Sequence, residues 1–298
     1  MHIESLEFFQ KIARLKSISK VAHSSHISQS ALSQQMQRIE ESLGFQLFIR
    51  SNRGVELTER GNIVLKYSDN IIRTYKKMME ELANQGKADD TIKIEADRTI
   101  ATYCLPCALY KMKENYPSHK YDLVSGSSEE IEQDVLNDIC DIGFITSKPA
   151  ENSLSSVEVV NEKVVLIARS NYNISEQIMV KDFLLFPHIL LKGDCIIREE
   201  LDNILNHSGY SLNDLNIIFE LDSIEAVKTM VSRGYGIGFV PYTSVKRELH
   251  NKEVKIVKIK DMVLSYRIFL VNKPEIKLNT CTVEFIEGFK KLGVNICC

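Results

Sequence analysis

Near residue 90 the hydrophobic rhythm of the chain changes. Before it, apolar residues recur at the three- and four-residue steps of amphipathic helices; after it, short extended apolar runs alternate with helical stretches. One layer of secondary structure cannot bury both patterns, so at least two folded units are expected. The length of 298 residues, about twice a typical domain, permits this.

Residues 3 to about 44 read as three helices with very short turns. Leu6, Phe9 and Ala13, with Ile12 beside them, mark the first; Val21 and Ala22 mark a second from about Ile18 to Ser24. Ser28 is placed to cap the third, its hydroxyl accepting an otherwise orphan amide. Leu32, Met36, Ile39 and Leu43 then form one apolar stripe, and Gly44 stands where a left-handed C-cap ends a helix. This is a helix-turn-helix pattern. Phe45–Arg50 and Val55–Thr58, flanking the polar turn Ser51-Asn52-Arg53-Gly54, predict a small β-hairpin wing. Thr58 can cap a long helix in which Val64, Tyr67, Ile71, Tyr75, Met78 and Leu82 form an a/d-like seam of about three heptads. No neighbouring core in sequence covers that seam, so a second copy of the chain is the expected partner, the alternative being a surface helix packed on its own domain. Residues 85–90 carry no periodicity and read as a linker.

From residue 91, extended runs at Ile92–Ala96, Tyr121–Ser125 and Asp141–Thr146 alternate with helices near 102–115 and 129–138, which predicts βαβ units and a parallel sheet. A second set follows at Lys163–Ala168, His188–Leu191, Ile217–Glu220 and Gly236–Pro241, with helices near 198–207 and 223–233. Late strands near 254–259 and 264–271 lead to a final helix at about 280–293. The class is α/β overall with an all-α winged head, divided as 1–58, 59–90 and 91–298.

The 37 basic and 40 acidic side chains give a net charge of −3, against a wholly cationic nucleic-acid coat. The distribution is uneven: residues 1–60 hold eight basic and six acidic groups, residues 61–90 five of each, and the remainder 24 and 29. A mildly positive head on an acidic body suits a head that meets a polyanion. No apolar run nears the roughly 18 residues of a membrane span, and the acidic start is unlike a secretory signal. With seven irregularly spaced cysteines, this predicts a reducing cytoplasm and no disulfide framework.

In a helix-turn-helix the third helix reads DNA from a platform made by the others. Off its apolar stripe lie Gln29, Ser30, Ser33, Gln34 and Arg38, opened by Ser28. Short hydroxyls allow close approach to base edges, and an amide can pair with adenine. Arg38 is better placed for a phosphate, and Arg50 and Arg53 flank a wing turn able to reach the backbone or a narrow minor groove. A polar face on an amphipathic helix is ordinarily just solvated; the wing is what favours a reader.

Residues 3–61 resemble the amino-terminal domain of LysR-type transcriptional regulators. The resemblance rests on Ser19-Lys20-Val21-Ala22, on Ile27-Ser28-Gln29-Ser30-Ala31-Leu32-Ser33, on Ile39-Glu40, Leu43-Gly44 and Leu47-Phe48-Ile49-Arg50, and on Leu57-Thr58-Glu59-Arg60-Gly61. The body is similar in plan, including Asp141-Ile142-Gly143 and Gly234-Tyr235-Gly236-Ile237-Gly238-Phe239-Val240-Pro241. The resemblance implies a dimerising linker helix and a two-lobed, periplasmic-binding-protein-like effector domain, with lobe I at about 91–161 and 265–298 and lobe II at about 162–264. It also implies double-stranded DNA with an interrupted palindrome as partner, and a dimer or tetramer. Gln34 stands where family members often have arginine, which predicts a more adenine-tolerant readout; Val21 replaces one alanine of a usual pair and should alter packing only.

Open α/β sheets bind ligands at the carboxyl ends of their strands, where helix amides are presented. Thr99, Ser128 and Thr146 are the expected effector contacts in the first lobe, with Arg198 reaching from the second. Hydroxyls and amides favour a small anion, although each hydroxyl could equally cap a helix. Other chemistry is weaker. Cys104-Leu105-Pro106-Cys107 has the spacing of a redox dithiol but lacks a thioredoxin-like surrounding. Cys195, after Gly193-Asp194, resembles the reactive cysteine of the family's peroxide sensors, yet residues 196–280 hold no resolving cysteine. The seven histidines have no metal-ligand spacing, the glycine-rich stretch lacks a phosphate-loop lysine, and neither an enzyme nor a cofactor is expected.

Overall fold

The computed structural model describes residues 2–51, 54–83, 91–150, 152–193, 195–260, 262–274 and 280–292. The chain divides into two compact units, meeting in sequence at Asp89 and Asp90.

The head begins with α1 (Ile3–Leu15), α2 (Ile18–Ser24) and α3 (Gln29–Leu43). Ser17 caps α2 by accepting from the Lys20 amide, and Ser28 caps α3 by accepting from Ala31 at 3.1 Å. Gly44 closes α3 at φ 74°, a conformation that suits a residue without Cβ. The three apolar stripes meet in a core of Phe9, Ile12, Val21, Leu32, Met36 and Ile39. The wing is β1 (Phe48–Ser51) paired antiparallel with β2 (Gly54–Leu57). Glu40 ties it to α3, one carboxylate oxygen accepting the amides of Leu47 and Phe48 at 2.7 and 3.1 Å. The 25-residue α4 (Glu59–Ala83) follows, capped by Thr58, whose hydroxyl accepts from Gly61 at 2.9 Å.

The body opens with β3 (Thr91–Asp97), a π-helical turn (Ile100–Cys104), α5 (Leu105–Asn115), β4 (Lys120–Gly126), α6 (Ser128–Leu136) and β5 (Ile142–Ile145). The long β6 (Ser155–Arg169) leads to β7 (Gln177–Ile178), α7 (Val180–Phe183), β8 (Pro187–Leu191), α8 (Ile196–His207), β9 (Asn216–Leu221) and α9 (Ile224–Ser232). Next come β10 (Gly238–Pro241), α10 (Tyr242–His250), β11 (Val254–Ile259), β12 (Leu264–Asn272) and α11 (Thr280–Leu292). β3 is parallel to β4 and β5, and β8 is parallel to β9, as the alternation predicts.

Beyond these parallel pairs the sheet is mixed: β12 runs antiparallel to β5 and β6, and β10 and β11 antiparallel to β6. β6 explains this. Its first part pairs with β12 in one half of the body, and its last residues, Val164–Arg169, pair with β10 and β11 in the other. One strand thus carries a single eight-stranded sheet from one half into the other, and its partner β12 returns beside it. The short β7 and α7, and the amphipathic α10, were not legible from spacing.

The glycine motifs serve close packing. A Cβ on Gly143 would lie 2.5 Å from Ile131 Cγ2 and 2.7 Å from Val271 Cγ2; one on Gly236 would lie 2.4 Å from the Pro187 carbonyl oxygen. The glycine-rich stretch is therefore a crowded approach of backbones, with no phosphate loop about it.

His188 is fully buried in the second half, its Nε2–H donating to the Phe183 carbonyl at 3.1 Å with the ring edge-on to Phe183. Burial lowers its pKa from 6.5 to about 4. Between those values the unfolded chain binds a proton that the folded protein refuses, so acid destabilises the fold. Stability should be retained above pH 6.5 and fall by about 2 kcal/mol between pH 7 and 5. Urea titrations of wild type and His188→Gln test this; an equally steep fall in the variant would assign the dependence to other groups.

Candidate nucleic-acid interface and effector cleft

In the head, Ser28, Gln29, Ser30, Gln34 and Arg38 of α3 are exposed and Ser33 is half-buried, while Leu32, Met36 and Ile39 are buried. The face is partly organised by its own contacts. Gln29 Oε1 accepts from the Ser19 hydroxyl at 3.1 Å, which uses one lone pair of the oxygen and leaves the amide donors out of that bond. Arg50 of the wing donates from Nη1 to Ser33 Oγ at 2.8 Å, fixing the guanidinium beside the reader helix. Ser28 Oγ is occupied by its capping bond and lies 3.1 Å from Ser30 Oγ, which makes Ser28 a positioning residue. Arg53, expected at the wing tip, lies outside the described residues. Glu40 went unrecognised in the sequence as the clip between reader and wing; its spacing seven and eight residues before the clipped amides gave no periodic signal. Arg60 was likewise missed: its guanidinium stacks 3.8 Å from the centroid of the Phe45 ring.

Along α4, Tyr67, Ile71, Tyr75, Met78 and Leu82 are all at least 40% exposed, an apolar stripe that nothing else in the head covers among the described residues. The expected seam needs one correction. Val64 packs with the head core, and buried Ser68 and Ile72 lie on the same inward side, where α4 meets α1. A helix of 3.6-residue period cannot hold a strict 3.5-residue seam, so its first member rotates inward. Gln10 and Arg14 of α1 both reach Asp69, and Lys76 pairs with Glu7 across the same contact.

In the body, a cleft of about 540 Å³ opens at the carboxyl ends of β3, β4, β8 and β9. The first half lines it with Asp97, Arg98 and Thr99 after β3 and with Ser125, Gly126 and Ser127 at the end of β4. The second contributes Leu191 and Lys192 after β8, Cys195 before α8, and Asp222, Ser223 and Glu225 after β9. Amino termini of α6, α8 and α9 therefore face it. Arg98 and Lys192 bring positive charge from the two halves. Asp97 is raised above the usual carboxylate range by burial, although the Thr99 amide, donating at 2.9 Å, opposes this. Burial likewise raises the Cys195 thiol, which disfavours a reactive thiolate.

Of the four expected contacts, only Thr99 lines the cleft. Thr146 donates its amide to Ser128 Oγ at 3.4 Å, with the two hydroxyls 3.5 Å apart, so these groups fasten β5 to α6. The residue whose hydroxyl caps α6, accepting from Glu130, is Ser127, one position earlier. Arg198 is held outside the cleft by Glu220 at 2.6 Å and by the Leu191 carbonyl at 3.1 Å. The sequence did mark the right strand ends, but a cap one residue off and an ion pair across β9 decided which side chains face in. Cys104 is a buried thiol and Cys107 is disulfide-bonded, so the two are not joined to each other as a redox dithiol. Among the described residues, no group of three or more metal-ligating side chains converges and no helix is long and apolar enough to cross a membrane.

Comparison with known proteins matches two stretches of the chain to separate models. Residues 3–62 match the model described as bacterial regulatory helix-turn-helix protein, lysR family, and residues 85–292 match the LysR substrate binding domain. A probable RuBisCO transcriptional regulator of Trieres chinensis is 30% identical over 282 residues, covering 92% of this chain and 91% of that one. Full-length CbnR, solved with its target DNA, superposes with a TM-score of 0.66 at 18% identity, covering 98% of this chain and 99% of that one. The CcmR regulatory domain of Synechocystis PCC6803, solved with 2-PG, gives a TM-score of 0.60 at 20% identity, covering 69% and 98%.

Proposed function

We propose, for a chain that belongs to the LysR family of transcriptional regulators, how this DNA-binding head and effector-binding body divide their work. Gln29, Ser30 and Gln34 read base edges in a major groove, Arg38 and Arg50 contact phosphates, and Ser28 and Ser33 hold the reader helix and the wing arginine in place. Tyr67, Ile71, Tyr75, Met78 and Leu82 pair with the same stripe of a second copy. Two heads would then meet half-sites about 34 Å apart on an interrupted palindrome. The cleft takes a small anion, which Thr99, Arg98, Lys192 and the helix amides can hold. Its binding shifts the population of subunit arrangements, and requires differential affinity to do so. The protein acts in the cytoplasm as a regulator, without catalysis.

The observation that carries this reading is the exposed amide and hydroxyl face of α3, bordered by the wing and backed by a buried stripe. Selection of genomic fragments at moderate salt tests it, since a specific site survives competition that strips phosphate-only binding. Gln29→Ala should cost about 1–3 kcal/mol of discrimination at one base position. Arg38→Ala should instead weaken all sequences alike and lower the salt slope by about one. Full selectivity in the first variant, or an unchanged slope in the second, would remove that residue from its role. For the cleft, a thermal-shift screen of small anions that includes 2-PG is the direct measurement, because a bound ligand stabilises the native state.

A further inference from the structure

Tyr103 belongs to the first half of the body but makes its best contacts with the second. It sits in the π-helical turn after β3, where Ile100 and Cys104 face the buried core and Tyr103 remains half-exposed. Its ring packs against the apolar cluster of the second half, built on Ile224, Val227, Val231 and Val240. Its hydroxyl donates to Glu225 Oε1 at 2.9 Å, and its ring centroid lies 5.5 Å from the Lys228 ammonium. Both partners are on α9, and Tyr103 and Glu225 each line the cleft. The anchor on the α9 side is firm: the Lys228 side chain is 5% exposed and its ammonium meets Glu225 at 2.6 Å, Glu248 at 3.1 Å and the Ser244 carbonyl at 2.7 Å.

We propose that Tyr103 is a clasp between the two halves of the body, its hydroxyl on Glu225 and its ring over Lys228 together setting how far the cleft opens. Opening the cleft separates the hydroxyl from the carboxylate and uncovers an ammonium that the ring now shields. The π-register is the local device that makes this possible, since an irregular turn at a functional position can redirect one side chain while its neighbours stay in the core. The clasp is independent of which ligand the cleft takes, so its test needs none.

Hydrogen exchange on the full-length protein measures it. Tyr103→Phe keeps the ring and removes the hydroxyl; Tyr103→Leu removes both; Glu225→Ala alters an exposed partner on the opposite half. Exchange should quicken tenfold or more in both 100–106 and 224–231 for Tyr103→Phe and Glu225→Ala, and further for Tyr103→Leu. Combining Tyr103→Phe with Glu225→Ala should add little to either alone. Strand β12 should keep its wild-type rate. Faster exchange confined to 100–106 would assign Tyr103 a merely local packing role, and unchanged exchange at 224–231 in both Tyr103→Phe and Glu225→Ala would overturn the clasp.

Discussion

Gly61→Ala is expected to destabilise the head by about 3 kcal/mol or more, the upper end for an overpacked site. A Cβ there would lie 2.2 Å from the Leu47 carbonyl oxygen and 3.0 Å from Leu57 Cδ2. The nearest atom is backbone, and it is already fixed: the same carbonyl accepts the Thr58 amide at 2.9 Å. Relief would require moving either the wing entry or the first turn of α4, which Thr58 caps. Gly44→Ala is the matched control. Its Cβ would meet nothing within 4 Å, so only the left-handed backbone at φ 74° opposes the change, at a cost of about 1 kcal/mol. Chemical denaturation followed by helical signal, with operator binding in parallel, separates the two. A loss at Gly61 no larger than at Gly44 would mean that the close approach relaxes freely.

Lys228→Met should cost about 3–5 kcal/mol, because it leaves the Glu248 carboxylate buried without its main cation. Glu248 is 5% exposed and its Oε2 has no hydrogen-bond partner. Burial pushes this carboxyl upward, but a backbone hydrogen bond, the Lys228 ammonium and the Arg247 guanidinium together outweigh burial and hold it below the usual range. Arg247, at 3.2 Å, is largely solvent-exposed and compensates poorly. A fall in the melting temperature of roughly 10 °C would correspond to that cost. The double variant Lys228→Met with Glu248→Leu should recover most of it, since removing both charges removes the uncompensated group. If the double variant is no more stable than the single, the loss comes from packing around the lysine stem and not from the orphaned carboxylate.

These two sites show different degrees of legibility. The Thr58 cap and the helix after it can be read from residue types, and so can Ser28 and Gly44, because capping and left-handed termination depend on one or two neighbouring residues. The same holds for the switch of period near residue 90, and for the five exposed members of the α4 stripe. Gly61 could be quoted as part of a motif, yet the reason for it lies fourteen residues back in the Leu47 carbonyl. Lys228 showed only its helical neighbour Glu225 in sequence: its buried partner Glu248 is twenty residues on, on another helix.

The sequence alone therefore determined the two units, the winged helix-turn-helix, the exposed polar face of α3 and the strand ends around which a cleft forms, since each follows from periodicity and local chemistry. Tertiary structure decided which side chains enter the cleft, how β6 carries one sheet through both halves of the body, and that Val64 turns inward. It also brought Tyr103 to Glu225 across 122 residues. Contacts at such separations depend on how whole elements pack, and side-chain direction there is set by neighbours that no local pattern names.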